Sequence, residues 1–189
     1  MSSPEKNPSR LIKRVAFLLL GVLVAARGTA AVKEGDAFPR LDPAELRVLA
    51  GGTFPETAGK VVLVDFWASW CGPCVLSMPE LDAMRRRLID DGFGERFEIL
   101  GVNLDQDIDK AQAFLKVHPV AYPVIHDVAG IASQLYAPRK LPSAYLVGLD
   151  GRVAFIYYGY GSGYGSEVEE RVRAALKAKK AGTEPPAAP

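Results

Sequence analysis

The chain of 189 residues holds only two cysteines, two histidines and two tryptophans, and each scarcity excludes something. A single cysteine pair, Cys71 and Cys74, cannot staple a small disulfide-rich fold, which needs several bridges spread along the chain. The pair is therefore more consistent with chemistry than with scaffolding. The two histidines, His118 and His126, have a spacing that fits neither common zinc-finger pattern. No block of lysine and arginine stands out, and 23 basic residues face 22 acidic ones, so the footprint of a nucleic-acid binder is missing. No apolar run reaches the roughly 20 residues that a bilayer core demands, and no internal repeat is visible. What remains is ordinary for one globular domain: 49% hydrophobic and 24% charged residues.

The first thirty residues read differently. Arg10, Lys13 and Arg14 precede a twelve-residue apolar run from Val15 to Ala26, and small residues follow through Gly28, Thr29, Ala30 and Ala31. That order is the pattern of a secretory signal, with cleavage expected after Ala30 or Ala31, despite Arg27 close to the cut. Retention as an anchor is the alternative. No cysteine lies near the cleavage region, which argues against a lipoprotein. Residues 1–31 are thus read as the signal peptide or anchor, 32–180 as the folded domain and 181–189, rich in Pro and Ala, as a disordered tail. Without residues 1–31 the chain carries 18 basic and 21 acidic side chains, a net charge of −3. Proteins or small molecules are the expected partners.

Periodicity predicts an α/β order. Leu46–Ala50 reads as an edge strand, and Val61–Trp67 as a strand buried on both faces of a parallel sheet. From Cys74 to Ile89 apolar residues recur at helical spacing, with a kink expected at Pro79. Phe97–Leu104 reads as a strand, Asp107–Val117 as a helix, Tyr122–Ile125 as a short extended piece and Ile131–Tyr136 as a brief helix. Ala144–Val147 and Val153–Tyr158 form a hairpin around Asp150-Gly151, and Glu167–Lys179 is the last helix. The segment from Tyr157 to Gly165, rich in Tyr and Gly, reads as a strand-to-helix loop, with a protein-binding surface as the alternative.

A strand ending at Trp70 and a helix beginning near Gly72 place Cys71 at a helix N-terminus, where unpaired N–H groups and the helix dipole stabilise an anion. Such a position brings a thiol pKa from about 8.5 to near 7 or below. Cys71 is then the attacking thiol, and Cys74, one turn further in, resolves the mixed disulfide. Pro73 has no N–H, which limits stabilisation of the thiolate and points to a reducing couple. A zinc half-site, or copper held with Met78 or Met84, is the competing reading; methionines at helical spacing are usually core.

Val61 to Cys74, VVLVDFWASWCGPC, resembles the active-site strand and turn of thioredoxins. With Gly59-Lys60, Val102-Asn103-Leu104-Asp105, Tyr122-Pro123-Val124, Leu141-Pro142-Ser143 and Leu149-Asp150-Gly151, residues 33–178 resemble the TlpA/ResA branch of extracytoplasmic thioredoxin-like reductases. The resemblance implies a thioredoxin fold: a central mixed β-sheet flanked by helices, with an N-terminal extension. It implies that Asp65 is the buried acid handling the proton of the inner cysteine, with a raised pKa. It implies that Pro142 is a cis-proline facing the cysteine pair, with Leu141 offering backbone groups to an extended client peptide. Trp70, Gly72, Pro73 and Gly159 match neighbours of the site, and Trp67 reads as packing. A glutamate that many members carry three residues after the second cysteine is Ser77 here, leaving the acid role to Asp65 alone.

The implied function is reduction of disulfides in client proteins outside the cytoplasm, in the periplasm, with cytochrome c maturation one setting for it. A monomer needing no metal or other cofactor is expected, recharged by an upstream membrane thiol electron donor. A disulfide oxidase or isomerase, or a metal chaperone or assembly factor without turnover, are the rivals on the same fold.

Overall fold

The structure, a computed structural model, describes residues 31–42 and 46–178. The leader expected over residues 1–31 (Ala31 apart) and the tail expected over 181–189 lie outside the described residues. No helix among the described residues is long and apolar enough to cross a membrane.

Every residue of the second strand, β2 (Val61–Trp67), is buried, as an unbroken β-branched and aromatic run requires of a strand covered on both faces. It lies parallel to β3 (Phe97–Asn103) and antiparallel to β5 (Ser143–Val147). β4 (Val124–His126) extends the sheet from β3, with β1 (Arg47–Ala50) antiparallel at that edge. β6 (Val153–Tyr158) closes the other end, so the six strands run in the order β1-β4-β3-β2-β5-β6. Among the described residues the α-helices are α1 (Cys74–Leu88), which runs on into a π-helical turn at Ile89–Phe93, α2 (Ile108–Val117), α3 (Ile131–Tyr136) and α4 (Tyr164–Lys177). This is a thioredoxin fold.

Strand alternation divides the core in two. Val61, Leu63 and Trp67 pack with Cys71 and Cys74, with Met78, Leu81, Met84 and Leu88 of α1, and with Tyr164, Val168, Val172 and Leu176 of α4. Val62, Val64 and Phe66 pack on the opposite face with Tyr136 of α3, Tyr145 and the buried Val32 and Leu41. The lead-in before β1, read from sequence only as polar, covers the outer end of the β6 hairpin. Gly35 N donates to Val153 O (2.7 Å), Val153 N to Asp36 O (2.9 Å) and Phe38 N to Gly151 O (2.8 Å). These bonds occupy backbone groups that an edge strand otherwise leaves open to another chain.

Several boundaries differ from the sequence reading. α1 ends at Leu88 rather than Ile89, with Pro79 inside it. Tyr122 and Pro123 lie ahead of β4, which runs to His126. The last helix begins at Tyr164 rather than Glu167, because a buried tyrosine and a close backbone approach, not helix propensity, set its start. The Tyr/Gly segment is accordingly not one loop: Tyr157 and Tyr158 finish β6, and Tyr164 and Gly165 open α4. Met78 and Met84 are fully buried in the first core cluster, where they act as packing.

Candidate active site

β2 ends at Trp67, and the chain turns through Ala68, Ser69 and Trp70 before Cys71. Ser69 is held at both ends of its polar reach, its N–H donating to Asp105 Oδ2 (2.8 Å) and its hydroxyl to Asp105 Oδ1 (2.7 Å). Asn103 Nδ2 donates to the same carboxylate at 2.7 Å, and His126 Nε2 sits 2.7 Å from the Asp105 carbonyl oxygen. Asp105 is 4% exposed. Two residues upstream of Cys71, the turn is thus pinned to the end of β3. Sequence reasoning placed Asp105 only in a family frame; an acid just past a strand whose end abuts the motif was the available signal. Replacing Asp105 with Ala leaves the fully buried Asn103 donor and the half-buried Ser69 donors without this partner, at a cost of about 1–3 kcal/mol. The urea midpoint should fall accordingly, together with the rate at which Cys71 reacts; an unchanged midpoint would refute the clamp.

Cys71 and Cys74 form a disulfide, with their Cα atoms 5.3 Å apart. Cys71 is 4% exposed and Cys74 not at all. The regular helix starts at Cys74 rather than near Gly72, because Pro73 occupies the N-cap with no side-chain cap. Turn bonds nevertheless begin at the motif: Cys74 N donates to Cys71 O (3.0 Å) and Val75 N to Gly72 O (3.2 Å). Cys71 therefore precedes the first turn, on the side to which the helix dipole presents its positive end. Gly72 and Pro73 are exposed, and the Trp70 side chain stands out at 68% exposure. Ser77 is fully buried, its hydroxyl directed at Cys74 O (3.4 Å).

Asp65 lies on the cysteine-facing side of β2 by alternation with Leu63 and Trp67, and is fully buried. Its partners in register are Gly101 on β3 and Ala144 on β5, so small residues flank the carboxyl on both sides. Neither carboxylate oxygen has a hydrogen-bond partner. Burial alone pushes the pKa from 3.8 up to about 8, since an unpaired charge is disfavoured in low dielectric. The carboxyl anticipated from the resemblance is thus central, not at an edge.

The Leu141–Pro142 peptide is cis. Ser143, the next residue, pairs with Phe66, which sets Pro142 beside the end of β2 that leads into Cys71. Pro142 is buried and Leu141 half-buried. Pro142 O accepts from Gly159 N at 2.7 Å, tying the loop after β6 to the cis-proline turn. Gly159 has φ +85°, a backbone conformation that calls for glycine.

Glu80 of α1 is a residue the sequence reading missed. Its Oε1 accepts from the Tyr160 hydroxyl (2.6 Å) and its Oε2 from Gly165 N (3.0 Å). The Tyr/Gly segment is thereby fastened to the helix that carries Cys74. Among the described residues no group of three or more His, Cys, Asp or Glu is placed to hold a metal ion. His126 is engaged at Asp105, and the His118 ring lies 4.7 Å from that of Phe114.

This arrangement, a disulfide at the mouth of a helix, a buried carboxyl on the same sheet face and a cis-proline at the adjoining strand end, agrees with what known proteins show. The AhpC/TSA family pattern matches residues 45–156. The chain belongs to the AhpC/TSA family. Within it, the chain is a thioredoxin-fold thiol–disulfide oxidoreductase of the ResA type. The thiol-disulfide oxidoreductase ResA of Oceanobacillus iheyensis is 28% identical over 168 residues, covering 82% of this chain and 84% of the relative. The ResA of Geobacillus thermodenitrificans is 27% identical over 169 residues, covering 82% and 90%. Among solved structures, a putative thiol:disulfide interchange protein DsbE from Chlorobium tepidum superposes with a TM-score of 0.65 at 30% identity, covering 77% of this chain and 99% of its own.

Proposed function

We propose that this AhpC/TSA-family oxidoreductase reduces disulfides in client proteins outside the cytoplasm. The observation that carries the reading is the unequal placement of the pair: Cys71 at the rim before the helix, Cys74 enclosed on the face that holds Asp65. In the reduced state the Cys71 thiolate attacks one sulfur of a client disulfide. The client S–S bond breaks, one client sulfur leaves as thiolate, and a mixed disulfide forms on Cys71. The Cys74 thiol then gives its proton to the Asp65 carboxylate and attacks Cys71 Sγ. The second client sulfur leaves with the electron pair. The client has gained two electrons, and Cys71–Cys74 is oxidised.

Trp70 beside the rim and the Leu141–Pro142 turn form the groove for an extended client segment, with Gly72, Pro73 and Gly159 leaving room for it. An oxidising compartment restores no dithiol, so a membrane thiol carrier is the electron donor, and the protein works as a monomer. The leader of residues 1–31 directs export to the periplasm, and cytochrome c maturation supplies one class of clients. Ser77, in place of the branch's glutamate, leaves Asp65 as the base.

Equilibration of the purified domain with dithiothreitol and glutathione buffers tests the direction of transfer. A potential near the roughly −270 mV of a reductase is expected, and a value near the roughly −120 mV of a strong oxidant would overturn reduction in favour of oxidation.

A further inference from the structure

Around Asp65 the structure gathers polar atoms that have no partner. Besides both carboxylate oxygens, the Trp67 indole N–H and the hydroxyls of Tyr122 and Tyr164 are buried and unbonded. All four side chains belong to the face that carries the cysteines; Trp67 and Tyr122 are fully buried and Tyr164 is 1% exposed. Gly101, the register partner of Asp65, makes this possible. A Cβ at Gly101 would lie 3.1 Å from Tyr122 Cε2 and 3.4 Å from Trp67 Nε1, so the Tyr122 ring edge and the indole nitrogen converge where a side chain beside Asp65 would otherwise stand.

The electrostatics of this face runs the same way. Burial first, and the Asp65 charge next, push both the Tyr122 and the Tyr164 hydroxyl well above the ordinary phenol value. Tyr164 and Asp82 add to this at Tyr122; Tyr157, Glu80 and Tyr160 add to it at Tyr164. Both phenols are therefore neutral donors at any working pH. Four buried side chains on one core face with unmet donors and acceptors are the setting in which proteins hold an internal water, which needs two to four polar partners.

We propose that Asp65, Tyr122 and Tyr164, with the Trp67 N–H, enclose an internal water site, and that the two tyrosines act through it as positioning residues for the Asp65 carboxyl. This rests on the reading of Asp65 as the group that exchanges a proton with Cys74. When Asp65 is ionised, the water and the phenols donate toward it and favour the charged form. When the Cys71–Cys74 disulfide is opened, an incoming thiolate bonds to Cys71 Sγ, the S–S bond breaks, and Cys74 leaves with the electron pair and the Asp65 proton. Removing a phenol hydroxyl withdraws a donor from the carboxylate, so Asp65 holds its proton to higher pH.

The test uses Tyr122→Phe and Tyr164→Phe, which keep the rings. In the oxidised protein, carboxyl-carbon NMR of labelled aspartate should show the Asp65 titration moving up by about half a unit in each variant, a threefold change in proton affinity. The urea midpoint should fall, because a bonded hydroxyl is lost. A truly orphaned hydroxyl gives the opposite result, a raised midpoint, since its removal relieves an unmet polar group. In reduction by dithiothreitol, the pH at which the rate loses the Asp65 proton should move with the carboxyl. An unmoved carboxyl titration or a raised midpoint in both variants overturns the water site. A moved titration, with a pH–rate profile that is the same in wild type, both Phe variants and Asp65→Asn, overturns Asp65 as proton donor and leaves the water site standing.

Discussion

Replacing Cys71 with Ser is expected to bring insulin-disulfide reduction down to the uncatalysed background, a loss of at least about a thousandfold, because a hydroxyl has no thiolate and no redox couple. Replacing Cys74 with Ser should give a different failure. The first attack still occurs, but nothing resolves it, so the protein stops after one event with the client attached to Cys71. Intact mass after mixing with an oxidised client peptide distinguishes the two, with an adduct on Cys74→Ser and none on Cys71→Ser. The structure gives a reason for this order of roles: Cys71 keeps 4% exposure at the rim and Cys74 keeps none. An adduct on Cys71→Ser would reverse the assignment.

Asp65 governs the second large effect, on stability rather than turnover. Its pKa in the folded, oxidised protein is about 8, against 3.8 for a solvated aspartate. Between those values the folded state keeps a proton that the unfolded chain has released. The unfolded state thus binds fewer protons, and stability falls as pH rises. At about 1.4 kcal/mol per pH unit the decline amounts to about 4 kcal/mol from pH 4 to pH 7, and it levels off once pH passes 8. Asp65→Asn has no charge to bury, so this part of its pH dependence should vanish and the variant should be more stable than the wild type at pH 8. Urea unfolding at pH 5 and pH 8 checks both statements. A wild-type stability that does not decline relative to Asp65→Asn would show that the carboxyl is solvated or paired.

A buried carboxyl with no charged partner, kept at this cost, fits the proton-handling role proposed for Asp65. The neighbouring register makes the same point. Gly101 and Ala144 flank Asp65 on the two adjoining strands, where larger residues would bury more apolar surface, and the room at Gly101 is taken by the Tyr122 ring edge.

Much of the fold was readable before any coordinates. The run Val61–Trp67 announces a doubly covered strand because every one of its positions but Asp65 is apolar, and Asp150-Gly151 announces a hairpin because glycine accepts the φ of +73° that Gly151 adopts. Boundaries decided by contacts were not readable. The last helix begins three residues early because Glu80, 85 positions upstream, accepts the Gly165 N–H; no local pattern carries that bond. The N-terminal lead-in looked merely polar because its backbone, not its side chains, does the pairing with the β6 hairpin.

For the site, the motif Trp70-Cys71-Gly72-Pro73-Cys74 by itself determined the chemistry, because two thiols one turn apart at a strand-to-helix junction have few other uses. Which atoms serve that chemistry was left to the tertiary structure. Only packing puts Asp105 under the turn before Cys71, sets the cis Leu141–Pro142 peptide at the neighbouring strand end, and buries Tyr122 and Tyr164 in the core cluster that holds the cysteines. Proton affinities and backbone clamps arise from burial and from partners distant in the chain, and both come into being when the sheet and its helices close around them.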